Sequence, residues 1–243
     1  MQPATDLDSV LSSRGNTGRG LYTWVAIVAA LVVLAGFSRS YYAKAAFGTP
    51  ELSALQHLHG LVMTSWFVMF AVQVRLAATR RLGLHRKLGV YGGVIAALVV
   101  VVGSITAITA AAAGRGVPGV PPLMFLAVPL GDVTLFTILV GTALWNRRRP
   151  EYHKRFMVVA TLGVLTAAIA RIPVDALQQG GLPAFFATTD VILLGFIAMD
   201  TWRNRRLHPA YAWGLGFVIL SQAARALGAG TPQWIAFATW LTR

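Results

Sequence analysis

The stretch Arg80-Arg81-Leu82-Gly83-Leu84-His85-Arg86-Lys87 separates two long apolar segments, and it has two counterparts further along the chain. These are Arg147-Arg148-Arg149-Pro150-Glu151-Tyr152-His153-Lys154-Arg155 and Arg203-Asn204-Arg205-Arg206-Leu207-His208-Pro209. Each time, an arginine cluster leads to a histidine just before the next apolar run. An α-helix needs about 20 apolar residues to cross a hydrocarbon layer about 30 Å thick. The apolar runs here have that length, and they lack the two-residue alternation of a barrel strand. Lipid leaves no backbone polar group unpaired, so the fold expected is an all-α polytopic transmembrane helical bundle.

Composition agrees. The 243 residues are 56% hydrophobic and 12% charged, against about 25% charged in a soluble domain, and the mean hydropathy is +0.64. Seven spans are expected: Leu21–Phe37, Leu55–Leu76, Leu88–Ala112, Leu123–Trp145, Phe156–Ile172, Ala184–Trp202 and Tyr211–Leu227. Residues 1–20 are polar, lack the apolar core of a cleavable leader and read as a disordered cytoplasmic tail. Residues 21–227 form the bundle. Residues 228–243 form a segment on the outer interface, where Trp234, Phe237 and Trp240 recur at helical spacing.

The net charge of +13 comes mostly from the short turns. In a soluble protein it would suggest nucleic acid; here the positive-inside rule accounts for it. The three clusters are then cytoplasmic, the amino terminus lies inside, and three helical hairpins follow one unpaired first helix. The charge-poor, Gly- and Pro-containing loops Ala113–Pro122 and Pro173–Pro183 face outward. The lipid bilayer is the partner this implies, and a bacterial inner (cytoplasmic) membrane is the expected location. With no cysteine, disulfides, thiolate metal ligands and cysteine nucleophiles are excluded.

Charged residues inside a span are costly and suggest function. At 1.5 Å per residue, His59 stands about 24 Å and His57 about 27 Å above Arg75. Asp132 stands about 21 Å above Asn146, and Asp190 about 18 Å above Trp202. Arg171 stands about 24 Å above Arg155, and Arg225 about 22 Å above Ala210. These heights converge on the outer third of the membrane. One reading is an ion-pair network that locks helices together. The other is a binding site in which Arg171 and Arg225 hold an anionic or carbonyl group. His59 would then carry a proton or ligate a metal as an axial ligand, with Asp132 and Asp190 setting the charge. His57 and His59, two apart, point in nearly opposite directions on a regular helix, and His59, followed by Gly60 and Thr64, is the better inward candidate. His85, His153 and His208 sit among cations, which disfavour a bound metal there, and read as contacts for anionic lipid headgroups or an anionic ligand at the inner face.

The strings His57-x-His59-Gly60, Leu84-His85-Arg86-x-Leu88-Gly89, His153-Lys154-Arg155-x-Met157 with Ala170-Arg171, and Arg206-x-His208-Pro209-Ala210 resemble a family of uncharacterised bacterial polytopic inner-membrane proteins. The His-Arg turn followed by glycine is also faintly similar to b-type cytochromes and haem-handling membrane proteins. That likeness implies haem as a cofactor class. No second helix offers a histidine at the height of His59, so it reaches only to a single-histidine haem there.

The function expected is therefore binding of a small ligand or cofactor, haem or quinone, at the outer polar layer. A small-solute transporter or permease is a second reading, and a structural or assembly partner a third. No catalytic constellation is complete, and nothing points to nucleic acid.

Overall fold

In the computed structural model, the backbone is described for residues 5–243 and the side chains for residues 20–243. The expected tail, residues 1–20, falls almost wholly outside the residues described in full. Among the described residues every regular element is a helix. They are α1 (Thr5–Phe37), a π-helical turn (Ser38–Tyr42), α2 (Lys44–Phe47), α3 (Ala54–Ala78), α4 (Leu82–Ala112), α5 (Pro122–Phe125) and α6 (Ala127–Trp145). Then follow α7 (Pro150–Gly163), α8 (Thr166–Ile169), α9 (Asp175–Asn204), α10 (Pro209–Gly228) and α11 (Pro232–Leu241).

Among the described residues, five helical stretches are long and apolar enough to cross a membrane: Gly20–Tyr42, Ala54–Ala78, Leu82–Ala112, Pro122–Trp145 and Asp175–Asn204. The other two expected spans take a different form. The first is split, because α7 stops at Gly163 and a bend at Val164 and Leu165 precedes α8. The second, α10, is continuous but carries Ser221, Gln222 and Arg225 in its last turns. A break also divides α9, where Gly181 has φ 55° and Pro183 follows. Only glycine adopts that backbone freely, and proline cannot donate back to the preceding turn.

Local chemistry sets the helix starts. Ser53 and Gln56 form a reciprocal capping box at α3. Proline occupies the first turn of α7, α10 and α11, where its missing N–H costs nothing. Arg80 and Arg205, each in a basic turn, both take left-handed backbone at φ 58°, so the first and third turns share a local geometry as well as a composition.

The most buried element is α7–α8. It packs on α6, α9, α10 and α1, and Val158, Val159, Ala160, Thr161, Leu162, Leu165, Ala168 and Ile169 are all buried. The α3–α4 hairpin packs on α1 and α6, with Trp66 edge-on to Phe136 at 4.8 Å. The apolar residues that remain exposed, such as Trp24, Leu31, Leu61, Val101, Val191 and Leu220, ring the outside of the bundle, the distribution a lipid solvent favours.

Small residues let backbones meet. A Cβ on Gly36 would fall onto the Ala168 carbonyl, so α1 and α8 cross at this glycine in direct backbone contact. Finally, α11 docks on α5: the Trp234 indole donates to the Leu123 carbonyl at 2.8 Å, and Ala238 is fully buried.

Candidate functional site

The six polar residues expected to share one layer fall on α3, α6, α9, α10 and the turn after α8, and their contacts separate them into two groups. The first joins α6, α9 and α10. Arg225 is 9% exposed and pairs with Asp132, Nη1 to Oδ1 at 2.5 Å. Its Nε and Nη2 donate to the carbonyl and hydroxyl of Ser221, both at 3.0 Å, and its guanidinium lies 4.9 Å from the Phe186 ring. Gly131 makes this geometry accessible, because a Cβ there would strike the Arg225 side chain. Beside this pair, the Gln222 amide donates to both oxygens of Asp190, at 2.9 and 3.1 Å. Each charge in this group has a partner within it.

The second group lies between α1, α3 and α8. Arg171 donates to the Ala167 carbonyl at 2.6 Å and its guanidinium stacks 4.9 Å from the Phe37 ring, but among the described residues no carboxylate meets it. The charge of Arg171 acts on His59, and among the described residues the buried His59 Nδ1 has no hydrogen-bond partner. The π-helical turn builds the wall opposite. The Tyr41 ring occupies the space above Gly60, and its hydroxyl donates to the His57 carbonyl at 3.2 Å. The Tyr42 hydroxyl meets Thr64 Oγ1 at 2.8 Å. π-turns of this kind recur at functional sites. Because α3 is a regular helix from Ala54, His57 and His59 diverge: His57 is exposed and His59 half-buried.

At the basic end, the structure brings together residues whose association the sequence does not reveal. Arg155 (2% exposed) and Asp200 (5% exposed) form a buried pair. Arg155 Nε and Nη2 both reach Asp200 Oδ2, at 2.8 and 2.7 Å. Arg155 Nη1 extends the network to Glu151 at 2.5 Å, and Glu151 also pairs with Lys154 at 2.7 Å. Burial alone would raise the Glu151 carboxyl, but the hydrogen bonds and charges of Lys154 and Arg155 outweigh it and hold it below the usual glutamate range.

The three turn histidines diverge in role. His208 caps α10, its Nδ1 accepting from the Ala210 N–H at 3.1 Å, and its ring packs 4.7 Å from that of Tyr152. His85 and His153 instead meet each other across two turns. Burial first, and then the nearby His85, lower the His153 imidazole below its ordinary range, against its bond to the Ala143 carbonyl. Among the described residues, no three of His, Cys, Asp or Glu gather as a metal site. No protein-family model, curated protein or solved structure matches this chain.

Proposed function

We propose that this chain is a seven-span integral membrane protein, amino terminus inside, that binds a small molecule at the outer end between α1, α3 and α8. The observation that carries the reading is that Arg171 and His59, near one another at this end, both go unanswered. Among the described residues Arg171 has no acid partner, and the buried Nδ1 of His59 has no hydrogen-bond partner. A charged group without a counter-ion at membrane depth is expensive, whereas Asp132 and Arg225, at a similar depth, satisfy each other. Arg171 is also exposed at the surface of the bundle, so a ligand can reach it. A ligand carrying a carboxylate or a polarised carbonyl would complete Arg171 and accept from or donate to His59. Quinones and haem carboxylates both have that chemistry. Phe37, Tyr41 and Tyr42 supply flat faces for the body of such a molecule. Asp132, Arg225, Asp190 and Gln222 then hold the neighbouring helices in place.

The test is extraction and mass analysis of protein purified in mild detergent, with its optical spectrum, followed by photo-crosslinking with a quinone analogue. Binding should be lost in Arg171→Gln and His59→Ala and kept in the Asp132→Asn/Arg225→Gln double variant. Retention of the ligand or label in both single variants would overturn the proposal. The cysteine-free sequence also makes topology directly measurable. The single-cysteine variants Arg148→Cys and Pro118→Cys should label from opposite faces of the membrane.

A further inference from the structure

A groove opens between α1 and α9 beside the third basic turn, with a volume of about 530 Å³. That volume is typical of a small-molecule site. Neither Arg171 nor His59 lines it, nor do the three turn histidines. Its wall is graded along both helices. On α9, Met199, Trp202 and Arg203 line it at the three- and four-residue spacing of one helix face. On α1, Gly20 and Trp24 line it at the same spacing, with Leu21 beside them. Arg203 stands about 6 Å further along α9 than Met199, and Arg205 follows in the turn. The apolar wall therefore lies within the span and the guanidiniums at its end. Trp24 and Trp202 are 60% and 70% exposed, and exposed indoles favour the headgroup level of a bilayer.

The charge in this groove is unanswered. Among the described residues neither Arg203 nor Arg205 enters an ion pair, and no carboxylate lines the groove. Asp200, on the same helix, is buried and committed to Arg155. The carbonyl end of α9 contributes about half a negative charge, which two arginines outweigh. Gly20 leaves the cationic mouth open, since nothing lies within 4 Å of a Cβ added there. We propose that the groove binds one anionic phospholipid, with its phosphodiester on Arg203 and Arg205 and the start of an acyl chain along Leu21, Trp24, Met199 and Trp202. Guanidinium matches the paired oxygens of a phosphodiester. A free phosphate would leave the apolar wall unmet, and a zwitterionic lipid would bring its own cation to the arginines. This site is separate from the one at Arg171 and His59.

The experiment uses the full chain in detergent with equal amounts of phosphatidylglycerol and phosphatidylcholine, and native mass spectrometry counts the lipid retained. One phosphatidylglycerol per chain should be held in preference, and excess inorganic phosphate should not displace it. A cation at a membrane surface contributes about fivefold to binding an anionic lipid, so the double variant Arg203→Gln/Arg205→Asn should lower the preference roughly thirtyfold. Asparagine suits position 205, where φ is 58°. Met199→Trp should fill the groove and exclude the lipid with both arginines present. Arg148→Gln/Arg149→Gln, which removes two exposed cations of the second turn, should leave retention unchanged. Lipid-free melting temperatures near the parent's separate loss of the site from loss of the fold. Equal retention of the two lipids by the parent, equal losses in the two arginine double variants, or displacement by phosphate would each overturn the proposal. So would dimers of the chain that Met199→Trp abolishes, which would put a second copy in the groove.

Discussion

Arg155 and Asp200 form a buried ion pair between α7 and α9, with two guanidinium nitrogens on the single oxygen Oδ2. It ties the most buried helix of the bundle to its neighbour, and the Arg155 guanidinium also lies 5.6 Å from the Tyr211 ring of α10. Breaking one side of such a pair leaves the other charge buried and unanswered. Asp200→Ala should therefore cost about 3–5 kcal/mol, read as a fall in thermal stability in detergent. The double variant Arg155→Met/Asp200→Leu should recover most of that loss. A double variant as unstable as Asp200→Ala would show that the pair contributes more than the removal of an isolated charge.

Pairing at the opposite end can be read by double-mutant cycles. Asp132 bonds Arg225, so Asp132→Asn and Arg225→Gln should be strongly non-additive, with a coupling of about 0.5–3 kcal/mol. Asp132 and Arg171 have no such contact, and their effects should add within about 0.5 kcal/mol. Equal coupling in both cycles would mean that the two groups form one network.

The contrast between those cycles reflects what is legible in the sequence. Height along a helix follows from a fixed rise per residue, so the common level of His59, Asp132, Arg171, Asp190 and Arg225 can be counted. Which of them face one another depends on helix rotation and neighbours, and the apolar patterns here are too uniform to report that. Asp200 escapes a sequence reading because it lies two residues from the expected end of its span at Trp202, where a charge reads as a headgroup contact. An acid at the edge of a strongly basic end, as Glu151 also is, is the available signal. The meeting of His85 with His153 has no local signal, since it depends on how two hairpins pack.

Backbone contact at Gly36 makes a sharp steric prediction. Its missing Cβ leaves room for the Ala168 carbonyl, and that carbonyl cannot move without disturbing α8 and the Arg171 that follows it. Gly36→Val should push α1 from α8, lower stability by about 1–3 kcal/mol as overpacking does, and separate Phe37 from Arg171. Gly93→Val is the control, because nothing lies within 4 Å of its added Cβ. Matching melting curves for the two variants would remove the case for close packing at Gly36.

The Glu151 network should make the basic end sensitive to acid. The net effect of its partners is to hold the Glu151 carboxyl below the usual glutamate value of 4.5. A carboxylate depressed in the folded state stabilises it above the unfolded pKa, and that contribution disappears as the pH falls through the folded pKa. Parent protein should therefore melt higher than Glu151→Gln at neutral pH, and the gap should narrow below about pH 4.5 and close at still lower pH. The Glu151 side chain is partly exposed, so the gap should be modest and should shrink in high salt. A gap that stays constant down to the acid limit would mean that Glu151 acts through packing rather than through its charge.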